Sequence, residues 1–263
     1  MDSVIDTKPI ALGIDFEDIR HTPAYRALDK KRRIDVDIPG TTDKLLRLFD
    51  DYDTEVTFFI VTRLAEEYPD LIRRISREGH EIASHTRSHR SLPELTQEEL
   101  REEIAGSKED LESIVDCSIQ GFRAPTCEID SRAYRSLVSA GYNYSSSVMP
   151  SVPIPGFYSN NDEMPRKPSQ VDIDNKTLSE FPITVAPGVR LPVSGAWIRL
   201  LGCQYVLRSI QYQSHSNVVC TYSHPWEFQR MEKPLPFRCR HRTGEWLWET
   251  YKRILKLDRE FVT

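Results

Sequence analysis

The chain has 263 residues, 39% of them hydrophobic, enough to bury one enzyme-sized core. Its 35 Lys and Arg stand against 40 Asp and Glu, a net charge of −5 that offers no electrostatic footprint for nucleic acid. Cys117, Cys127, Cys203, Cys220 and Cys239 are odd in number and form no CxxC pair, which speaks against a disulfide scaffold and for a reducing compartment. No window approaches eighteen apolar residues, and the N-terminal MDSVIDTKPIALGIDFED lacks the pattern of a cleaved signal. The expected location is therefore cytoplasmic.

In chain order, residues 9–16 (PIALGIDF) read as a buried strand running into acidic residues. A helix is expected over 41–53, with Leu45, Leu46, Leu48 and Phe49 on its apolar face, and a strand over 55–61 (EVTFFIV). Residues 65–78 space Leu71, Ile72 and Ile75 for one helix face; Gly79 stops this helix, and 80–84 resume an extended run. Thr96 with Glu99 three residues on forms a capping box that opens a long charged helix to 115. Then come a strand at 119–123, a helix at 131–140 and an extended run at 141–148. Such alternation points to a parallel sheet with crossover helices, functional residues sitting at the strand C-terminal ends.

From 149 to 175, Pro150, Pro153, Pro155, Pro165 and Pro168 break all periodicity, predicting a long loop suited to setting specificity. Regularity returns with a strand at 178–185, an amphipathic helix at 196–212, a buried strand at 217–223 (NVVCTYS) and a final helix at 245–257. That last helix carries Trp246, Trp248 and three basic residues. Barrel packing explains it, with peripheral membrane contact as the other reading. No repeat or low-complexity tract divides the chain, so 1–263 is expected to be one domain.

The chemistry-bearing residues lie at the predicted strand ends. SHTRSH places His85 and His89 four apart, the spacing of one helical turn, so both imidazoles can reach one metal ion. GIDFED places Asp15 and Glu17 on one face of an extended segment. One carboxylate with the histidines completes the two-histidine, one-carboxylate set of hydrolytic zinc sites; the other is free to act as a base. Arg123, in GFRAP, can orient such a carboxylate bidentately, and His224, in YSHPWEF, can serve as a general acid. Cys127 reads as a small packed thiol.

GIDFED, SHTRSH, GFRAP, GYNYSSSVMP and SHPWEF stand in the order in which the polysaccharide deacetylase family (NodB homology, carbohydrate esterase 4) carries its motifs, so the chain resembles that family over residues 9–256. More narrowly, it resembles the branch whose first motif reads DxED rather than TFDD and whose last reads HPWE. The resemblance implies an α/β fold, a distorted (β/α)7-type barrel. It also implies Asp15 as catalytic base, Arg123 as its orienting partner and His224 as general acid. Glu17, His85 and His89 become ligands of a divalent metal, zinc foremost, with cobalt or nickel as substitutes. Because the first motif departs from TFDD, Asp18 competes with Glu17. The resemblance further places oxyanion and substrate contacts near Tyr144, Ser145, Pro125 and Trp226, although YSSS lacks the aspartate of relatives. The implied reaction removes an N-acetyl or similar N-acyl group from an amino sugar, lipid- or nucleotide-linked. The alternatives are hydrolysis of another non-peptide C–N bond (a formyl-sugar, cyclic amide or ureide) and a non-catalytic carbohydrate-binding protein.

Overall fold

The computed structural model describes residues 8–26, 28, 34–153, 164–213, 217–232 and 234–263. Among them, nine strands join one sheet: β1 (Ile10–Phe16), β2 (Thr57–Ile60), β3 (Glu81–Ser84), β4 (Gly121–Phe122), β5 (Tyr144–Ser145), β6 (Ser169–Ile173), β7 (Lys176–Glu180), β8 (Val219–Ser223) and β9 (Phe261–Val262). The order is β6-β7-β5-β4-β3-β2-β1-β8, with β9 pairing the start of β1. Every pairing is parallel except the β6–β7 hairpin. Beyond β7 the chain crosses towards the other edge, where Thr184 N–H donates to the Cys220 carbonyl of β8 at 2.9 Å. The sheet thus curls into the expected distorted barrel.

The period of two in β1 divides the interior. Ile10, Leu12, Ile14 and Phe16 face the helices in the main core, each burial worth about 1.5–3 kcal/mol. Ala11 and Gly13 instead line a cavity of ≈ 170 Å³ inside the barrel, with Phe59 and Arg123 among its walls. The helices that cover the sheet include α1 (Pro23–Arg26), α2 (Ile38–Asp51), α3 (Thr62–Glu67), α4 (Pro69–Arg77), α5 (Gln97–Arg101), α6 (Ser107–Val115) and α7 (Ser131–Ala140). In the second half come α8 (Gly195–Leu201), α9 (Cys203–Gln211), α10 (Phe237–Arg240) and α11 (Glu245–Leu255). Asp37 caps α2 through Gly40 N–H at 2.9 Å, and the Thr96–Glu99 capping box opens α5 as expected.

The differences from expectation are local. The helix expected over 65–78 starts earlier and divides at Pro69, which supplies no N–H to continue the ladder. That expected over 96–115 is interrupted by a π turn at Glu102–Gly106. The helix expected over 196–212 breaks at Gly202, whose φ of 95° only glycine adopts readily. The 149–175 segment is not irregular throughout, since β6 occupies its last part; residues 154–163 lie outside the described residues. Both tryptophans of α11 serve packing. Trp248 Nε1 donates to the Phe228 carbonyl at 3.0 Å, and half-buried Trp246 lies beneath Arg242. No described helix is long and apolar enough to cross a membrane.

Candidate active site and metal centre

β1 delivers the two carboxylates to different partners. Asp15, still in the strand and 3% exposed, accepts a hydrogen bond on Oδ1 from Arg123 Nη1 at 2.6 Å. The strand then tightens, Glu17 N–H donating back to the Asp15 carbonyl at 2.9 Å, and this turn sends Glu17 to the histidines. Asp18 is kept out of that group because it caps the 3-10 turn Ile19–His21, accepting from Arg20 N–H at 2.9 Å. His21 completes the capping box and stacks on His89, ring centroids 5.9 Å apart.

His85 and His89 do converge, although not as a helical turn. Residues 85–91 follow β3 as a loop in which Thr86 and His89 have φ of 67° and 57°. Left-handed backbone at non-glycine residues costs of order 1–3 kcal/mol each and requires support from outside the loop. His85 Nδ1 lies 2.7 Å from the Arg123 carbonyl. A carbonyl only accepts, so Nδ1 carries the proton and Nε2 keeps its lone pair for a metal. Burial pushes the His85 imidazole down to about 4, so it is neutral at pH 7.

One ligand atom each from Glu17, His85 and His89 lies within 4.8 Å of the others, all three residues being buried. His89 Nε2 is 2.6 Å from Glu17 Oε2, yet not in hydrogen-bonding geometry, so this buried oxygen has no donor. Burial alone would raise the Glu17 carboxyl; the surrounding His89, His224 and His85 outweigh it and hold the group well below the carboxylate range. An ionised carboxylate with an orphaned oxygen beside a neutral imidazole fits a divalent cation.

Arg123 is 2% exposed and fully engaged. Nη1 binds Asp15, Nε donates to the Ser146 carbonyl at 3.0 Å and Nη2 to the Ser146 hydroxyl at 2.9 Å, while the guanidinium lies 3.8 Å from the Phe59 ring centroid. Burial opposes its charge, but Asp15 more than restores it. Gly13 is required for this approach: a Cβ there would fall 2.7 Å from Nη1. Cys127 is buried nearby, its thiol pushed up to about 12 by burial. Pro125 is buried in the turn just after Arg123.

At the end of β8, His224 Nε2 faces Glu17 Oε1 at 3.5 Å and Nδ1 faces Glu227 Oε2 at 3.2 Å, with the ring stacked on Trp226. Burial would lower the His224 imidazole, but the Glu227 carboxylate prevails and pushes it up to about 9. Glu227 is in turn held by Arg199, whose Nε and Nη2 both approach Oε1 at 2.8 Å. Arg199 and Glu227 are 1% and 0% exposed. Neither was singled out by sequence reasoning. Glu227 stood in SHPWEF, and Arg199 was detectable only as a cation on the apolar face of a predicted helix.

Tyr144 takes another position from the one expected. Its N–H is bonded to the Gln120 carbonyl at 3.3 Å and its hydroxyl to Glu81 at 2.7 Å, inside the barrel. Ser145 directs its hydroxyl to Ser147 at 2.8 Å. These hydrogen bonds occupy the Tyr144 N–H and both hydroxyls, so the geometry gives no support to the Tyr144 N–H as an oxyanion donor or to the Ser145 hydroxyl as a substrate contact.

Residues 25–145 match the polysaccharide deacetylase family profile, and 146–262 match one described as a domain of unknown function (DUF3473). A peptidoglycan-N-acetylglucosamine deacetylase of Bacillus cereus is 33% identical over 88 residues, 34% of this chain and 32% of that protein. The matched stretch therefore spans about a third of that relative's length. The fold is similar to the crystal structure of a Mycobacterium smegmatis protein assigned as a polysaccharide deacetylase, with a TM-score of 0.68 at 20% identity over 99% of this chain and 89% of that one. It is also similar to a CE4 family pseudoenzyme from Bacillus anthracis, with a TM-score of 0.56 at 11% identity over 97% and 63%. A pseudoenzyme shares this architecture, so the fold alone does not establish activity. Residues 25–145 thus match the polysaccharide deacetylase family, and the chain as a whole shares the fold of the Mycobacterium smegmatis protein.

Proposed function

We propose that the protein is a metal-dependent hydrolase that removes the N-acetyl group from an amino sugar in polysaccharide or glycoconjugate synthesis. The observation that carries this reading is the convergence, on one barrel rim, of Glu17, His85 and His89 with Asp15 on one side and His224 on the other. The similarity to a peptidoglycan-N-acetylglucosamine deacetylase supports the substrate class.

Two imidazoles and one carboxylate suit zinc, with cobalt or nickel as substitutes. The bound ion would supply Lewis-acid polarisation of the acyl carbonyl and a lowered pKa for water. Asp15 removes the proton from the attacking water, and Arg123 on Oδ1 keeps this carboxylate oriented. His224 is kept protonated by Glu227 and presents Nε2 towards the cluster, where it donates to the departing amine, since an unprotonated amide nitrogen is a poor leaving group. Trp226 fixes the His224 ring by stacking. Pro125 and Trp226 frame the substrate, and the 149–175 segment contributes to its selection.

The test is product analysis by mass spectrometry on N-acylated sugars presented free, nucleotide-linked and lipid-linked. Acetate and a free amino sugar are expected. Formate release, or cleavage of a cyclic amide or ureide, would assign a different C–N bond; zinc binding without turnover on any substrate would assign a binding protein.

A further inference from the structure

His85 and His89 lie in a loop without regular structure, and the contacts that hold it converge on one residue the proposed chemistry does not use. Ser88 is buried, and both its donors end on Glu103: the N–H on Oε2 at 2.8 Å and the hydroxyl on Oε1. Glu103 is itself 6% exposed, and among the described residues no ion pair offsets its burial. A buried carboxylate without a cation is costly and calls for a reason.

Glu103 also acts through its backbone, its carbonyl accepting from Arg87 N–H at 3.2 Å. It stands on the π turn at Glu102–Gly106, a rare geometry that recurs at functional sites. Gly106 of the same turn lies against the loop, since a Cβ there would be 3.4 Å from Arg87 Nη1. Other anchors act at single points: the Thr62 N–H and hydroxyl reach the Thr86 carbonyl, Arg63 N–H reaches the Arg87 carbonyl, half-exposed Arg87 pairs with Asp110 at 3.0 Å, and Arg26 reaches the His89 carbonyl at 3.3 Å. Among the described residues, Glu103 alone holds Arg87 and Ser88, the two residues between the left-handed Thr86 and His89, from both side chain and backbone.

We infer that Glu103 is a positioning residue of the metal centre: it clamps Ser88, holds the 85–89 loop in its strained conformation, and thereby sets the affinity for the divalent ion. This rests on the metal reading above. Groups that hydrogen-bond a ligand directly typically change metal affinity about 10- to 100-fold when removed, and Glu103 acts one residue further out, on Ser88 next to His89.

The experiment is zinc titration of the full chain against a chelating dye, beside the melting temperature of the metal-free protein. Glu103→Ala is expected to bind zinc about 10- to 100-fold more weakly. Glu103→Gln is expected to recover affinity to within about 3-fold, since its amide can accept from the Ser88 N–H and donate to the Ser88 hydroxyl. A lowered metal-free melting temperature with unchanged zinc affinity in Glu103→Ala overturns the inference. If that variant does not fold, Ser88→Ala replaces it, and unchanged affinity there is equally fatal. Wild-type protein that binds neither zinc nor cobalt overturns the metal reading and this inference with it.

Discussion

Among the described residues two arginine–carboxylate pairs are almost fully buried, and they meet the site in different ways. Arg123–Asp15, placed by β4 and β1, joins its carboxylate to the cluster itself. Arg199–Glu227, placed by α8 and the turn after β8, stands one residue back and acts through His224. A buried pair, then, need not be present for stability. Desolvating two charges roughly cancels their attraction, so such pairs are better understood by what the carboxylate does next. In the proposed reaction one carboxylate takes a proton, while the other holds a histidine charged to give one.

The largest expected effect comes from breaking the first pair at its working end. Asp15→Asn should lower turnover about 100- to 10,000-fold, the range of a general base, while zinc content by atomic emission stays at the wild-type value. Loss of the metal in this variant would show that Asp15 is a ligand and remove the distinction between the pairs. In the second pair, Arg199→Met leaves buried Glu227 with His224 as its remaining partner, a cost of up to about 3–5 kcal/mol readable in urea unfolding. The double variant Arg199→Met, Glu227→Met should recover much of that stability without recovering activity. Recovery of both would mean that the pair does nothing for His224.

Much of this arrangement was legible in the sequence, and the losses have physical causes. Strand–helix alternation gave the fold because hydrophobic period survives in single-residue patterns. Asp15, Arg123, His85, His89 and His224 were visible because they stand at strand ends. The placement of Glu17, and not Asp18, beside the histidines was not, since it depends on a turn after β1 and on Asp18 capping the next one. The loop geometry of SHTRSH was hidden because a spacing of four also suits a helix. Arg199 and Glu103 were missed because a buried charge on a helix reads as an ordinary surface residue until its partner is seen.

A smaller effect separates the pairs by pH. Glu227 is held down to about 2: burial would raise it, but Arg199 and His224 outweigh burial. A carboxylate with a lowered folded-state pKa contributes stability above its ordinary value, and that contribution is lost as pH falls through about 2. Glu227→Gln should therefore flatten the decline in unfolding free energy between about pH 4.5 and 2 relative to wild type. An unchanged slope would show that Glu227 is not the ionised partner. The smallest effect concerns Cys127, beside Arg123. Because Arg123 is committed to Asp15, burial dominates and the thiol stays protonated, so at pH 8 a native-state thiol reagent should label exposed Cys117 and leave Cys127 unmodified. Fast labelling of Cys127 would mean that the Arg123 charge is not committed to Asp15.

Both pairs serve one proposed reaction, hydrolysis of an N-acetyl group at a metal held by Glu17, His85 and His89, with Asp15 as base. Its most direct measurement is acetate release from N-acetylglucosamine oligomers and from nucleotide- and lipid-linked N-acetylglucosamine, using chelator-stripped protein before and after zinc is restored, in wild type and His85→Ala. Release is expected only from the zinc-restored wild type; equal release by the stripped protein or by His85→Ala would contradict the metal-dependent reaction.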